Sequence, residues 1–367
     1  MGYDDERRAR RVPDRGRGGP AAQGVDDDRV PAHPLRRAGR GAHRQVLPGA
    51  PRRLRHVRGR ALHRGRLTPA RPRRVRFDTI SFLSDYGTAD EFVGVVKSVV
   101  RAIAPEVAVI DLTHEVAPHD VRAGGLALAR AAQYLCPGVV LAVVDPGVGT
   151  DRRAVAVEVG EGQSVLVGPD NGLLAPAVAM CGGASRAVEL ANPEYQLAAP
   201  GPTFAGRDIF APAAAQLCLG VPLEAFGAEI DLGTLRPGMV PLTRLEAGRL
   251  EAEVLWVDRF GNAQLNVDPD ELAGWDDHVD VVASGRSRVA RRVRTYSDAS
   301  VGELGLLVDS YGLMSLALDR ASVADHLGLA PGDPVSLAPI EEGGAPAGAD
   351  TPVTLRPGPP EHPGSDR

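Results

Sequence analysis

Four aspartates are the residues of this chain that could act together in chemistry, because each stands at or just past the end of a short apolar run. They are Asp85, Asp111, Asp145 and Asp170. Carboxylates accept hydrogen bonds and protons, and they attract cations. One such aspartate is more often a turn or helix-cap residue. Four in succession predict an acidic crevice suited to ribose hydroxyls or to a cationic ligand.

Asp145 has the strongest local context of the four. It follows six uninterrupted apolar residues, 139–144, and precedes a Pro-Gly turn, after which the chain brings Arg152 back toward it. Such an apolar run is typical of a strand buried on both faces of a parallel sheet. Ligands of open α/β sheets bind outside the carboxyl ends of these strands. We therefore predict that Asp145 and Arg152 lie at the centre of an active site.

Alternating strands and helices over residues 77–236 would position these aspartates. Apolar residues recur at helical spacing from Phe92 to Ile103, and residues 121–135 are predicted to form the next helix. This alternation predicts an α/β domain with a largely parallel central sheet flanked by helices. Parallel strands would bring the four carboxylates to the same edge of the sheet.

The character of the chain changes after a predicted linker at residues 237–248, which contains Pro237, Gly238 and Pro241. Residues 249–342 consist of short apolar runs separated by Gly, Asp and Ser turns. This pattern predicts a smaller, mostly antiparallel β domain that is barrel-like. Residues 343–367 are rich in Pro, Gly and Ala, and we predict a disordered tail.

The first 76 residues are predicted to be a disordered, Arg-rich arm. Residues 1–74 hold 21 arginines and no lysine against seven acidic residues, and they show no helical or strand period. One interpretation is an arm that binds nucleic acid or an anionic surface. The favoured interpretation is a translation start placed too early, with Val75 or a neighbouring residue as the real beginning. Nucleic acid is therefore not an expected partner.

The sequence also bears on location and on metals. No apolar run approaches the roughly 20 residues that cross a bilayer, and no signal-peptide core is recognisable, which predicts a cytoplasmic protein without a membrane partner. His114 and His119 are candidate metal ligands. No histidine pair has the short spacing typical of zinc sites, so we predict no metal site.

Six ordered motifs resemble the S-adenosyl-L-methionine (SAM) hydrolases, also called SAM hydroxide adenosyltransferases, which are related to the fluorinase and the chlorinase. The motifs are FLSDYG (82–87), DLTH (111–114), VDPGVGT (144–150) with Arg152, GPDNG (168–172), TFAGRDIFAP (203–212) and DRFGN (258–262). The resemblance covers about residues 78–340. It implies that SAM and water react to give adenosine and methionine without a cofactor. It also implies a homotrimer whose SAM sites lie between one subunit's first domain and its neighbour's second.

The resemblance assigns roles to individual residues. Asp145 and Arg152 would hold and activate the attacking water. The residues expected to bind SAM are Asp85, His119, Asp258, Phe260, Asn262, Tyr296 and Ser310. Among these, Asp85 would bind the ribose diol and Asp258 the methionine ammonium, while Phe260, Asn262 and Tyr296 would contact the adenine. Without the resemblance, a hairpin turn at 258–262 and core positions for the two aromatic residues would be favoured.

Two positions depart from the family pattern. Tyr311 stands where the fluorinase has an arginine, and Ala205 stands where members that use water carry a histidine. Three interpretations of Ala205 remain: a slower hydrolase that relies on Asp145 and Arg152, a hydrolase that recruits His119 or His114, or an altered nucleophile. The alternative functions are a SAM- or adenosine-binding protein with little turnover and, less favoured, a SAM-dependent halogenase, in which a carboxylate would repel the halide.

Overall fold

The computed structural model describes residues 76–340; the predicted tail and all of the predicted arm except Arg76 lie outside the described residues. Six strands form the first sheet: β1 (Thr79–Ser84), β2 (Ala108–Thr113), β3 (Val139–Val143), β4 (Ala154–Val159), β5 (Ser164–Pro169) and β6 (Ala184–Glu189). Their spatial order is β2-β1-β3-β5-β4-β6. The first four in this order run parallel, whereas β4 is antiparallel to both of its neighbours. The predicted largely parallel sheet is confirmed.

Helices cover both faces of this sheet. They are α1 (Phe92–Ile103), α2 (Val121–Ala132), α3 (Ala175–Met180) and α4 (Ala211–Cys218). Helices α1 and α4 share one apolar core with Phe82 and Leu141, while α2 and α3 share the other with Leu83 and Val140. Because successive strand residues point to opposite faces, the wholly buried β3 contributes to both cores. This double burial explains why the run before Asp145 is uninterrupted.

Helix α2 begins beside the carboxyl end of β1 and packs closely on the sheet. The Asp120 carboxylate caps it by accepting a hydrogen bond from the backbone N–H of Ala123 at 2.8 Å. A Cβ atom at Gly124 would lie 2.9 Å from the side chains of Leu173 and Val144. The close approach of α2 to the end of the β3 segment and to Leu173 therefore favours glycine at this position.

The second sheet is a closed barrel with an added strand. Its strands are β7 (Arg244–Glu246), β8 (Arg249–Val257), β9 (Ala263–Leu265), β10 (His278–Ala283), β11 (Arg286–Arg292), β12 (Leu304–Val308), β13 (Met314–Ala317) and β14 (Pro334–Pro339), with α5 (Val323–Leu327) between the last two. Pairing of β14 with β8 closes seven strands, and β7 extends from β8. Among the described strands of this second sheet, only β11 and β12 pair in parallel. The predicted barrel-like β domain is confirmed, and β7 lies within the residues predicted as a linker.

Helix α2 also contacts the barrel. Arg122 forms an ion pair with Glu253 of β8 at 2.6 Å, and the Arg130 guanidinium lies 4.3 Å from the centre of the Trp256 ring. These contacts attach the barrel to the helix that starts next to the carboxyl end of β1. Within residues 76–340, no helix has the length and apolar character needed to cross a membrane.

Candidate active site

Two of the four predicted aspartates line a common cavity at the carboxyl ends of β1 and β3. Asp85 follows β1 and Asp145 follows the apolar run of β3, and both border a cavity of about 250 Å³. The other lining residues are Tyr86, Phe92, Pro118, His119, Val148, Thr203, Phe204, Ala205 and Gly206. The strand-end geometry predicted from the sequence therefore creates a concave site.

Asp145, in the wall of this cavity, forms a buried ion pair with Arg152. The Arg152 Nη2 donates to Asp145 Oδ2 at 2.6 Å, and the two side chains are 11% and 5% exposed, respectively. Arg152 is held further by the carbonyl of Arg153, which accepts from its Nη1 at 2.8 Å, and by the Phe210 ring. The sequence prediction that Arg152 returns toward Asp145 is confirmed.

One acceptor and one donor of this ion pair have no hydrogen-bond partner in the described structure. Asp145 Oδ1 and Arg152 Nε are buried, and neither has a hydrogen-bond partner in the part of the chain that the structure describes. A buried polar group without a partner costs about 1–3 kcal/mol. A small ligand that both donates and accepts hydrogen bonds, such as water, would satisfy the pair. Burial also raises the pKa of the Asp145 carboxyl, although the Arg152 charge opposes that rise.

Asp85 is oriented by the loop that leads into α2. Its Oδ2 accepts a hydrogen bond from the backbone N–H of His119 at 2.9 Å. His119 adopts a left-handed backbone conformation with φ of 69°, which is uncommon for a residue with a side chain. His119 lines the same cavity as Asp145. His119 thus orients Asp85 through its backbone and is itself part of the cavity lining.

The prediction of a crevice lined by four carboxylates is wrong for two of them. Asp111 lies inside β2 and forms an ion pair with Lys97 at 2.8 Å. Asp170 is bound by Arg153, whose Nε donates at 2.9 Å, and by the backbone N–H of Arg236 at 2.8 Å. Cationic partners therefore neutralise both carboxylates, and neither lines the cavity.

His114 has a buried position away from the cavity. Its Nδ1 lies 2.8 Å from the Ser84 hydroxyl, and its ring packs edge-on against Phe82 with the ring centres 4.6 Å apart. Of the two histidines considered as replacements at the site, His119 alone lines the cavity. Among residues 76–340, no group of three or more His, Cys, Asp or Glu side chains is placed to hold a metal ion.

An aromatic wall in the cavity was missed by reasoning from the sequence. The Phe204 ring centre lies 5.0 Å from that of Phe92 and 5.7 Å from that of Tyr86. Burial, together with the charges of Asp85 and Asp145, raises the pKa of Tyr86, so its hydroxyl stays protonated. Tyr86 and Phe204 stand inside two of the six motifs. Their presence there was the available signal, but aromatic residues in such runs are usually core.

Ala205 lies between this cavity and a second one. It is 6% exposed and immediately precedes a π-helical turn, Gly206–Phe210, that leads into α4. A Cβ atom at Gly206 would overlap the Tyr86 hydroxyl, so a larger residue there would displace the Tyr86 side chain. The second cavity has a volume of about 590 Å³ and is lined by Arg152, Asp208 and Ala205, among others.

A third cavity, of about 630 Å³, lies on the barrel and collects five of the predicted SAM-binding residues. It is lined by Asp258, Phe260, Asn262, Tyr296, Ser310, Leu318, Arg320, Ala321 and Ser322. The last four residues in this list were not predicted from the sequence. No described residue lines both this cavity and the one that contains Asp85 and Asp145.

The residues 258–262 also build the turn between β8 and β9. Asp258 Oδ1 accepts from the backbone N–H groups of Phe260 and Asn262, while its Oδ2 accepts from the Asn262 side chain at 2.8 Å. The hairpin-turn alternative is therefore correct for these two polar residues, which nonetheless line the cavity. The core alternative is wrong, since Phe260 is 78% exposed and Tyr296 is 45% exposed.

Family comparisons match both halves of the described chain. The model of the SAM hydroxide adenosyltransferase N-terminal domain matches residues 80–227, and that of the C-terminal domain matches residues 252–336. The chain belongs to the SAM hydroxide adenosyltransferase family. The N-terminal match contains Asp85, Asp145 and Arg152, and the C-terminal match contains the five predicted residues of the barrel cavity.

Several relatives in the SAM hydroxide adenosyltransferase family are similar over nearly their whole length. The (R)-S-adenosyl-L-methionine hydrolase of Salinispora tropica is 48% identical over 69% of this chain and 95% of its own. The protein of the same name from Thermus thermophilus is 43% identical over 70% and 98%, respectively. A fluorinase from Actinopolyspora mzabensis is 29% identical over 67% and 92%. A crystal structure of an uncharacterized conserved protein from Thermotoga maritima superposes with a TM-score of 0.66, at 34% identity over 71% of this chain and 99% of that one.

Proposed function

We propose that this protein hydrolyses SAM to adenosine and L-methionine, with water attacking the ribose 5′ carbon. The observation that carries the proposal is the buried Asp145–Arg152 pair, which has one acceptor and one donor without described partners and whose carboxylate residue lines the same cavity as Asp85. The names of the relatives that are 43% and 48% identical support the same reaction. We propose that the reaction needs no cofactor or metal.

Hydrolysis of SAM requires mainly that the protein position the water and stabilise the charge that develops on it. The sulfonium of SAM makes methionine a good leaving group, so the oxygen–carbon bond can form as the carbon–sulfur bond breaks. Asp145 Oδ1 would orient the water and accept its proton, and Arg152 would stabilise the developing hydroxide character. Exclusion of bulk water from the buried pair would strengthen both interactions.

We assign parts of SAM to two of the cavities, the one lined by Asp85 and the barrel cavity lined by Asp258. We assign the ribose diol to Asp85, whose orientation is fixed by the His119 N–H. We assign the adenine to Phe260, Tyr296 and Asn262; the two aromatic side chains are exposed and available for stacking. Asp258 would bind the methionine ammonium, and Ser310 would contact its carboxylate.

The separation of these groups supports sites shared between subunits. The first cavity is lined by Asp85 and Asp145, and the barrel cavity is lined by Phe260 and Tyr296, which we assign to the adenine. No described residue lines both cavities. We propose a homotrimer in which the first cavity of one subunit faces the barrel cavity of its neighbour. A head-to-tail interface of this kind closes into a ring. We place this assembly in the cytoplasm.

Mixing two damaged subunits is expected to restore activity if the sites are shared. Asp145→Asn damages one half-site and Phe260→Ala the other, and both variants should turn over little SAM at low substrate concentration. In mixed trimers made by co-expression, about a quarter of the interfaces would pair two intact half-sites. Adenosine formation should therefore recover to about that fraction of the parent rate. A rate equal to the average of the two separate variants would show that each site lies within one subunit.

The pH dependence of turnover should report the raised pKa of Asp145. Asp145 must be ionised to accept a proton, so activity is present above its pKa in the folded protein and is lost as the pH falls through that value. Because burial raises this pKa above 3.8, the acid limb of the kcat/KM profile is expected above pH 3.8. Initial rates across acidic pH, with circular dichroism to verify folding, would measure it. Full activity at pH 3.8 would contradict the assignment.

The proposed reaction itself is tested by incubating the purified protein with SAM and separating the products by chromatography. We expect adenosine and methionine in equal amounts. Tight binding of SAM without products would instead support the alternative of a SAM- or adenosine-binding protein. A halogenated adenosine formed in the presence of chloride or bromide would support a halogenase, which the buried carboxylate of Asp145 disfavours.

A further inference from the structure

The second cavity and the site cavity share one small lining residue. Ala205 is the one described residue that lines both the 250 Å³ cavity with Asp145 and the 590 Å³ cavity with Arg152. Asp145 lines the first of these cavities and Arg152 lines the second, so their ion pair links the two linings. The side chain of the shared residue 205 is only a methyl group.

The polar atoms of this ion pair that lack partners indicate which chemical group could bind next to it. Asp145 Oδ1 is a buried acceptor and Arg152 Nε is a buried donor, and neither has a described partner. A hydroxyl group can donate to the first and accept from the second. A free anion has no hydrogen to donate to Asp145 Oδ1, and an ammonium ion has no lone pair with which to attack or accept.

We propose that the second cavity opens into the site cavity past the Ala205 methyl group and holds the body of a short alcohol or polyol, whose hydroxyl takes the place of water at the ribose 5′ carbon. The protein would then also form 5′-O-alkyl ethers of adenosine. The inference rests on the proposed function, since SAM must supply the adenosyl group. The alcohol oxygen bonds to the 5′ carbon, the carbon–sulfur bond breaks with its electron pair on the methionine sulfur, and the hydroxyl proton passes to Asp145.

The lining of the second cavity suits a hydroxylated molecule. Thr150, Glu189, Gln196 and Asp208 are polar residues of this lining, and residues 199–202 form a wall of small and proline residues. Asp208 is itself paired with Arg207, so it presents a neutralised carboxylate rather than a free charge. Methanol would need only the opening at Ala205, whereas glycerol would also occupy the second cavity.

The test uses the full-length protein with SAM in buffer that contains either methanol or glycerol. Mass spectrometry of the nucleoside products would measure the ratio of ether to adenosine. Both alcohols should give their ethers. Ala205→Leu closes the opening, so it should lower the ether-to-adenosine ratio for both alcohols by about tenfold or more. Ala199→Trp fills the second cavity from its exposed side, so it should lower the ratio for glycerol and leave that for methanol unchanged.

The outcomes separate this inference from the proposed function. Adenosine without any ether from either alcohol would overturn the inference and leave hydrolysis standing. The same ether ratios in the parent and in Ala205→Leu would also overturn it, because the opening would then be irrelevant. Absence of both adenosine and ether would instead defeat the proposed function. An Asp145→Asn sample run in parallel identifies any ether that forms without the enzyme's chemistry.

Discussion

Replacing Asp145 by Asn is expected to lower adenosine formation from SAM by about 10²–10⁴-fold, the range typical of a general acid–base group. The amide keeps the size of the carboxylate but cannot accept a proton from water. It also removes the charge that holds Arg152 at 2.6 Å, so the donor opposite the water would lose its orientation. Steady-state kinetics should show the loss chiefly in kcat, since the groups assigned to adenine and ribose are untouched.

Asp111→Asn is the matched control for this experiment. Asp111 belongs to a strand of the same sheet, but it is exposed, is paired with Lys97 and does not line the cavity. The exposed ion pair contributes at most about 1 kcal/mol, so its loss should leave turnover nearly unchanged. Retention of parental activity in Asp145→Asn, with SAM still bound, would remove Asp145 from the mechanism.

The placement of Asp145 could be predicted from the sequence because local pattern and tertiary role coincide there. A strand buried on both faces has to be apolar throughout, and its first carboxylate has to stand at the sheet edge, where water or a ligand can solvate it. The same reasoning located α1, where apolar residues repeat at helical spacing from Phe92 to Ile103. In both cases the neighbouring residues alone contain the necessary information.

Whether the other aspartates remain free to bind a ligand depends on residues distant in the sequence. Asp170 is neutralised by Arg153, 17 residues earlier, and it also binds the backbone of Arg236, 66 residues later. Asp111 is neutralised by Lys97 on α1. No spacing rule connects these partners, so the sequence could indicate a shared edge but not which carboxylates remain available at it. The antiparallel position of β4 between β5 and β6 is likewise a tertiary property.

The two roles of the Asp258–Asn262 segment show a different limit of sequence reasoning. Its hydrogen bonds are those of a tight turn, while its exposed Phe260 and buried Asn262 line a large cavity. A turn and a binding site were weighed as alternatives, yet the folded chain uses one segment for both. The left-handed Gly261, with φ of +84°, allows this by packing closely against Ser322, another residue of the cavity.

Introducing a histidine by Ala205→His is expected to raise the rate of SAM hydrolysis, by about 10²–10⁴-fold if the reaction lacks only an acid–base group. Residue 205 has an ordinary right-handed helical conformation, with φ of −59°, which a histidine can adopt. Cavities adjoin it on two sides, so an imidazole has space next to the Asp145–Arg152 pair. There it could accept the proton of the attacking water, which Asp145 must otherwise take alone.

The pH profile distinguishes this explanation from a simple change in packing. An imidazole with a pKa near its usual value of about 6.5 should add a new acid limb to the kcat profile. Ala205→Gln provides the control, because its side chain is of similar length but does not titrate near neutral pH. The same imidazole would narrow the opening to the second cavity, so faster hydrolysis should come with less ether formation. If Ala205→His hydrolyses SAM no faster than the parent, another group already accepts the proton of the attacking water. His119 is then the next candidate, because it is the one described histidine that lines the cavity.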